Sequence, residues 1–255
     1  MPTAYRKSSA SAPEGYTAWE AAGLRWLAAA GGAPVVEVLD EGPHHLDLVR
    51  LTPATPTPRH AEALGRGLAA THAAGATAYG CPPDGWAGDG WLGPLAEPLP
   101  LVLGAWPTWG AFHAQARLAP LVREGRDRGV LGTADVAVLD RLVAIVAAGD
   151  LDTDDPPARI HGDLWSGNVV WTASGAVLID PAAHGGHREA DLAMLDLFGC
   201  PHLERVVEGY AGAAPLADGW RDRVALHQVH PLLLHAVLFG GSYPAQAVRA
   251  ARRYV

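Results

Sequence analysis

The 255-residue chain predicts an α+β fold of two unequal lobes, a small sheet-based N-terminal lobe and a larger, mostly helical one. Three observations carry that prediction. Short strand-like runs crowd the first 51 residues around one amphipathic helix. The stretch Thr52-Pro-Ala-Thr-Pro-Thr-Pro58 then interrupts the chain, and no helix or central strand runs through it because each proline removes a backbone donor. Beyond it, apolar residues recur at helical spacing, apart from one hairpin pattern at 169–179. The division predicted is 1–51 for the small lobe, 52–58 for a hinge and 59–255 for the helical lobe.

The elements follow in order. Thr3 to Lys7 is a strand candidate. Trp19, Ala22, Trp26, Leu27 and Ala30 share one helical face, so a helix is predicted from Gly15 to Ala30, ended by Gly31-Gly32. Val35–Leu39 and Leu46–Leu51 read as strands joined by Asp40-Glu41-Gly42-Pro43. In the large lobe, His60–Ala74 carries Leu64, Leu68 and His72 at i, i+4 and i+8. Residues 75–108, rich in Gly, Pro and Trp, read as a long ordered loop. Helices are predicted at Trp109–Val122 and Ala134–Ala148, the second burying Val136, Leu139, Val143 and Val146. Val169–Trp171 and Ala176–Ile179 flank Thr172-Ala-Ser-Gly175, a hairpin signature. Helices near Glu189–Phe198, Pro201–Ala211 and Trp220–Leu238, and a short C-terminal one, complete the plan.

Bulk properties narrow the function. At 49% apolar and 18% charged residues the chain can bury a core and fold. Its net charge of −8 argues against non-specific nucleic-acid binding, which depends on Lys and Arg neutralising phosphates. No apolar run reaches the roughly 18 residues of a membrane span, and residues 1–15 lack a signal-peptide core. Two cysteines make no disulfide framework. A cytoplasmic location is expected.

The chemistry is concentrated in Arg159–Asp180, RIHGDLWSGNVVWTASGAVLID. His161-Gly-Asp163 precedes Asn168 by a fixed step, and the hairpin can fold Asp180 back beside Asn168. That is the donor set phosphoryl transfer uses: an aspartate to accept the proton of an attacking hydroxyl, and an amide and a carboxylate to hold Mg²⁺ on the phosphates. Asp163 is the candidate base and Asn168 and Asp180 the metal ligands. His161 belongs to the catalytic loop as its orienting member. A polar turn capping a hairpin is the plain alternative.

Lys7, the only lysine of the chain, and Glu20 form a second candidate pair, a strand lysine bonded to a helix glutamate that would hold the nucleotide phosphates. Glu14 is the rival partner, and an unpaired surface Lys and Glu the plain alternative. Trp109, Phe112 and Arg117 lie on one predicted helix, and Glu189 and Asp191 follow His184-Gly-Gly-His187. Trp109, Arg117, Glu189 and Asp191 are the candidate acceptor-binding residues, against a structural Arg117–Asp191 ion pair. His184 and His187 lack the further ligands of a metal site. Trp86, Trp91, Trp106 and Trp109 read first as loop packing and second as a sugar-stacking surface.

HGDLWSGNVVW (161–171) and IDPAAHGGHREADLAMLDLFG (179–199) resemble the catalytic loop and metal segment of the fructosamine-kinase (ketosamine-kinase) family, within the protein-kinase-like, aminoglycoside-phosphotransferase-like group. Weaker likeness at 20–32, 57–75 and 230–243 extends this over nearly the whole chain. The resemblance implies a protein-kinase-like fold and ATP-dependent phosphorylation of a sugar hydroxyl on a glycated amine, with ATP and Mg²⁺ as cofactors and a role in removing such adducts. It implies that Asp163 is the base, that Asn168 and Asp180 bind Mg²⁺, that Lys7 and Glu20 hold the phosphates, and that the backbone at Val49 to Leu51 meets the adenine.

One departure stands out. The family places a strand, a Gly-rich turn and a second strand before the lysine strand, whereas Met1 stands six residues before Lys7. A late-assigned start or a truncated small lobe is the expectation, the latter with weak nucleotide binding. Two alternatives therefore accompany the ketosamine kinase: a phosphotransferase acting on an aminoglycoside or amino alcohol, and a pseudokinase-like binding protein.

Overall fold

A computed structural model describes residues 3–8, 12–93 and 97–255; residues 94–96 of the predicted loop lie outside them. The small lobe is a three-stranded antiparallel sheet, order β1-β3-β2, formed by β1 (Ala4–Ser8), β2 (Val38–Gly42) and β3 (His45–Val49). Helix α1 (Tyr16–Ala28) covers it, burying Ala21 and Leu24 against Leu46 and Leu48. The second strand lies three residues later than predicted. Val35 and Val36 are apolar for a different reason: Val36 donates to Leu178 O and Leu178 donates to Pro34 O, which joins this segment to the large lobe.

Residues 50–57 carry no regular structure, as the prolines require. Helix α2 (Pro58–Ala73) starts at Thr57, whose hydroxyl accepts from His60 N–H, with Pro58 at its first turn. It lies close on α7 (Leu203–Ala213), because a side chain at Gly65 would run into Val206 O. The 75–108 segment is less irregular than predicted. It holds a small hairpin, β4 (Gly90–Leu92) and β5 (Leu99–Leu101), whose three-residue strands are too short to show a period.

Trp109 to Asp127 forms one rod, longer than predicted: α3 (Trp109–Phe112), a π-helical turn (His113–Leu118) and α4 (Ala119–Asp127). It packs with α5 (Thr133–Ala148), α8 (Trp220–Phe239) and α9 (Tyr243–Ala251) around the main core. The predicted hairpin forms as β7 (Val169–Thr172) and β8 (Gly175–Leu178). A pairing the sequence did not announce, β6 (Ala158–Ile160) with β9 (His184–Gly186), brackets the His161 loop, and α6 (Glu189–Leu197) follows it. No helix among the described residues is long and apolar enough to cross a membrane.

Candidate active site

The loop after β6 is held from below by one carboxylate. Asp191, on α6, accepts from His161 N–H through Oδ2 (2.8 Å) and from Gly162 N–H through Oδ1 (3.0 Å). His72 Nε2 donates to the same Oδ2 (3.1 Å), and Tyr210 O–H donates to His72 Nδ1 (2.8 Å). Gly162 is required because its φ is +79° and a Cβ there would strike Ala182 O. His161 is buried. Its Nε2 donates to Ile179 O (2.9 Å) and its Nδ1 accepts from Asp163 N–H (3.3 Å), so its ring orients the loop.

Asp163 then faces the cleft. Asn168 Nδ2 donates to its Oδ2 (3.1 Å), to its backbone oxygen (2.7 Å) and to Asp180 O (3.3 Å), which ties three predicted residues together. Burial pushes the Asp163 carboxyl up to about 7; the Asn168 bond works the other way, and the charges of Asp180 and Asp191 add to the rise. That value suits a base that must be ionised yet basic near neutrality. Asp180 sits at φ 53°, a left-handed conformation aspartate tolerates. Its Oδ1 is 3.0 Å from Lys7 Nζ, which also reaches both oxygens of Glu20 at 2.8 and 2.9 Å. Burial opposes the charge on Lys7, but Glu20 and Asp180 outweigh it and hold the ammonium above its usual range. Glu14 is exposed, so Glu20 is the partner.

These groups line a cleft of about 370 Å³, walled on its other side by Trp91, Trp165, His235 and Phe239. Trp86 and Trp91 pack with each other and Trp86 with Trp19, so the loop tryptophans are mainly packing and Trp91 alone of the predicted four reaches the cleft.

Other candidates are placed differently. Val49 does not line the cleft, and its N–H already donates to Glu37 O (2.9 Å), so it is not open to an adenine; Leu51 is half-buried against the sheet core. Glu189 does not face an acceptor: it is buried and takes two bonds from Arg223 (2.6 and 2.9 Å), tying α6 to α8. Asp191 has both oxygens committed to the loop and to His72, which makes it a support rather than an acceptor ligand. The Arg117–Asp191 pair does not form, since Arg117 Nη1 donates to Val102 O and Ala116 O. Trp109 and Arg117 instead line a second, smaller cavity that also touches Asp163.

His184 is bonded to Ala182 O, and His187 lies with Glu189 and His227 in a buried cluster compact enough for a cation. Thr153 and the Glu189 N–H already occupy the His187 ring, and Arg223 the Glu189 carboxylate. The supporting residues His72, Tyr210 and Arg223 had only their place on helices to mark them.

A lysine–glutamate pair in a small sheet lobe, set over a His-Gly-Asp loop and a hairpin aspartate, defines the protein-kinase-like phosphotransferase fold. A choline kinase from Streptococcus pneumoniae shares it at TM-score 0.60 and 14% identity, over 99% of this chain and 87% of that one, a likeness of fold alone. The chain belongs to the fructosamine kinase family, whose model matches residues 6–255. A structure from Thermobifida fusca, assigned as a fructosamine-3-kinase, superposes at TM-score 0.91 and 45% identity, covering 99% of this chain and 85% of that one. A probable ketoamine kinase of Vibrio vulnificus is 35% identical over 173 residues, 68% of this chain and 55% of that protein. The chain spans about half the length of the curated relatives it matches.

Proposed function

We propose that the chain is an ATP-dependent kinase that phosphorylates a sugar hydroxyl of a ketosamine, a glycated amine such as a fructosamine or ribulosamine. The observation that carries this is the convergence of Asp163, Asn168, Asp180, Lys7 and Glu20 on one cleft, in a chain of the fructosamine kinase family. Asp163, at about 7, accepts the proton of the attacking hydroxyl. Lys7, fixed by Glu20, is placed for the nucleotide phosphates.

Mg²⁺ suits the donors present. The Asp180 carboxylate and the Asn168 Oδ1, which no described hydrogen bond uses, are hard oxygen ligands. The ion would supply charge neutralisation on the phosphates. Asn168 holds its own amide fixed through three donated bonds, so its oxygen is presented without rearrangement. Trp165, exposed at the rim, and Trp91 offer aromatic faces to a sugar. A cytoplasmic setting belongs to the same reading because ATP is the donor, and removal of sugar adducts from amines is the role it would serve.

The test is ATP turnover with fructosyl-lysine and ribulosyl-lysine, comparing wild type with Asp163→Asn. Turnover that falls by at least about 10²-fold in the variant supports the reading. Equal rates for both proteins would remove Asp163 as the base, and faster phosphorylation of an aminoglycoside or of choline would replace the acceptor.

A further inference from the structure

Helix α1 begins at the cleft. Gly15, in the left-handed region at φ +81°, turns the chain into the helix, and Tyr16 N–H donates to Pro13 O (3.1 Å). Tyr16 stands one helical turn before Glu20, so the two side chains leave the same face of α1. Glu20 uses that face to fix Lys7, and Tyr16 lines the cleft together with Lys7, Asp163 and Asp180. Its ring leans on Trp91, with centroids 6.0 Å apart and planes at 46°. An aromatic contact therefore positions the ring, and the oxygen is left for other use.

The hydroxyl has no hydrogen-bond partner among the described residues, and it is not one of the polar atoms sealed in the interior, so a molecule in the cleft can reach it. Glu20, its neighbour on the helix, spends both oxygens on Lys7. Burial raises the phenol and the charge of Glu20 adds to the rise; Lys7 works the other way, Asp180 and Asp163 raise it again, and the result is about 12. Near neutrality the group is therefore an uncharged O–H, a donor in a cleft whose other groups around it are one ammonium and three carboxylates. Such a donor stabilises a developing negative charge without adding a further charge of its own. It stands between Lys7, on the nucleotide side, and Asp163, which takes the acceptor proton, and that is the path of the group being transferred.

Resting on the kinase reading above, we propose that Tyr16 is a further catalytic residue: its O–H donates to a non-bridging oxygen of the phosphoryl group as that group passes from nucleotide to acceptor. The bond from phosphorus to the leaving oxygen of the nucleotide breaks, the bond from phosphorus to the acceptor oxygen forms, and the acceptor proton goes to Asp163. Tyr16 keeps its own proton throughout. In such a transfer the charge spreads over the non-bridging oxygens at the transition state. A donor aimed there is felt in kcat more than in ground-state binding.

The experiment compares wild type with Tyr16→Phe, which removes one oxygen and keeps the ring against Trp91. With ATP and fructosyl-lysine, kcat should fall by about 10- to 100-fold while KM for either substrate moves by less than about 3-fold. A kcat within about 2-fold of wild type overturns the proposal, and so does a loss carried by KM alone. A second readout needs no acceptor. Calorimetry with Mg²⁺ present compares the affinity for ADP plus aluminium fluoride, a stand-in for the phosphoryl group in transfer, with that for ADP alone. Tyr16→Phe should weaken the first by about 10-fold and leave the second within about 2-fold. An equal loss on both, or on neither, sinks the proposal. If no ketosamine is phosphorylated, the acceptor reading fails by itself and the calorimetric pair still decides Tyr16. If aluminium fluoride adds no affinity in the wild type, the hydroxyl has no transferring group to meet and the proposal falls.

Discussion

The large cleft and the smaller cavity share Asp163 and differ in how their charges are matched. In the cleft every charged group has a partner within the chain: Lys7 with Glu20 and Asp180, and Asp163 with Asn168. In the cavity the buried Arg117 keeps two nitrogens, Nε and Nη2, with no partner among the described residues. The first arrangement is poised to exchange partners with a ligand that brings its own charges, a nucleotide with its metal. Pairing within the chain offsets part of the cost of burying the charges of the cleft, although the ionised Asp163 still burdens the free protein.

The largest effect expected is on the residue common to both. Asp163→Asn should lower kcat by about 10²- to 10⁴-fold, which steady-state ATP turnover measures; a smaller loss would mean that the cleft does not need this base. The next tests the support beneath it. Asp191→Ala leaves two buried loop N–H groups and His72 unpaired, so a loss of about 3–5 kcal/mol is expected in denaturant unfolding. A loss below about 1 kcal/mol would show the loop to be held by other contacts.

Glu189→Gln should cost about 2–3 kcal/mol at pH 7, because Arg223 loses a doubly bonded partner. Burial alone would raise the Glu189 carboxyl, but bonds from His227 and Arg223 bring it down to about 2. A lowered folded-state value means the stabilisation is complete above the ordinary glutamate range and fades as pH falls towards 2, so the gap between variant and wild type should close there. The smallest effect runs the other way. The Asp163 carboxyl sits at about 7, above its unfolded value, so its ionised form burdens the free protein. The burden is absent below the unfolded value near 4 and full above 7. Asp163→Asn should therefore be more stable than wild type at pH 8, by on the order of 2 kcal/mol, and similar to it at pH 4, by thermal unfolding. Equal stability at both would mean that the cleft does not burden its base.

The cleft was far more legible in the sequence than the cavity. His161, Asp163, Asn168 and Asp180 lie within 20 residues, and a hairpin of β-branched and aromatic runs dictates how they fold back. Lys7 and Glu20 were legible through the rarity of lysine and a helical face. Val49 misled because its position by resemblance says nothing of whether its N–H is already bonded within the sheet. Glu189 and Asp191 misled because a carboxylate near a catalytic segment looks the same in sequence whether it faces the ligand or holds the loop.

The sequence alone determined the two-lobe plan, the irregular proline-rich stretch before α2 and the order of groups along the catalytic loop, since each depends on neighbours in the chain and on local backbone preference. Only the tertiary structure decided which polar residues are satisfied. His72 meets Asp191 across 119 residues, and Arg117, on the π-helical turn, shares a cavity with His227 from α8. Whether a buried donor has a partner depends on elements brought together by core packing, and no local periodicity encodes it. That is why Arg117 reads in sequence as an acceptor ligand or as half of an ion pair with Asp191, and in the fold donates to Val102 O and Ala116 O instead.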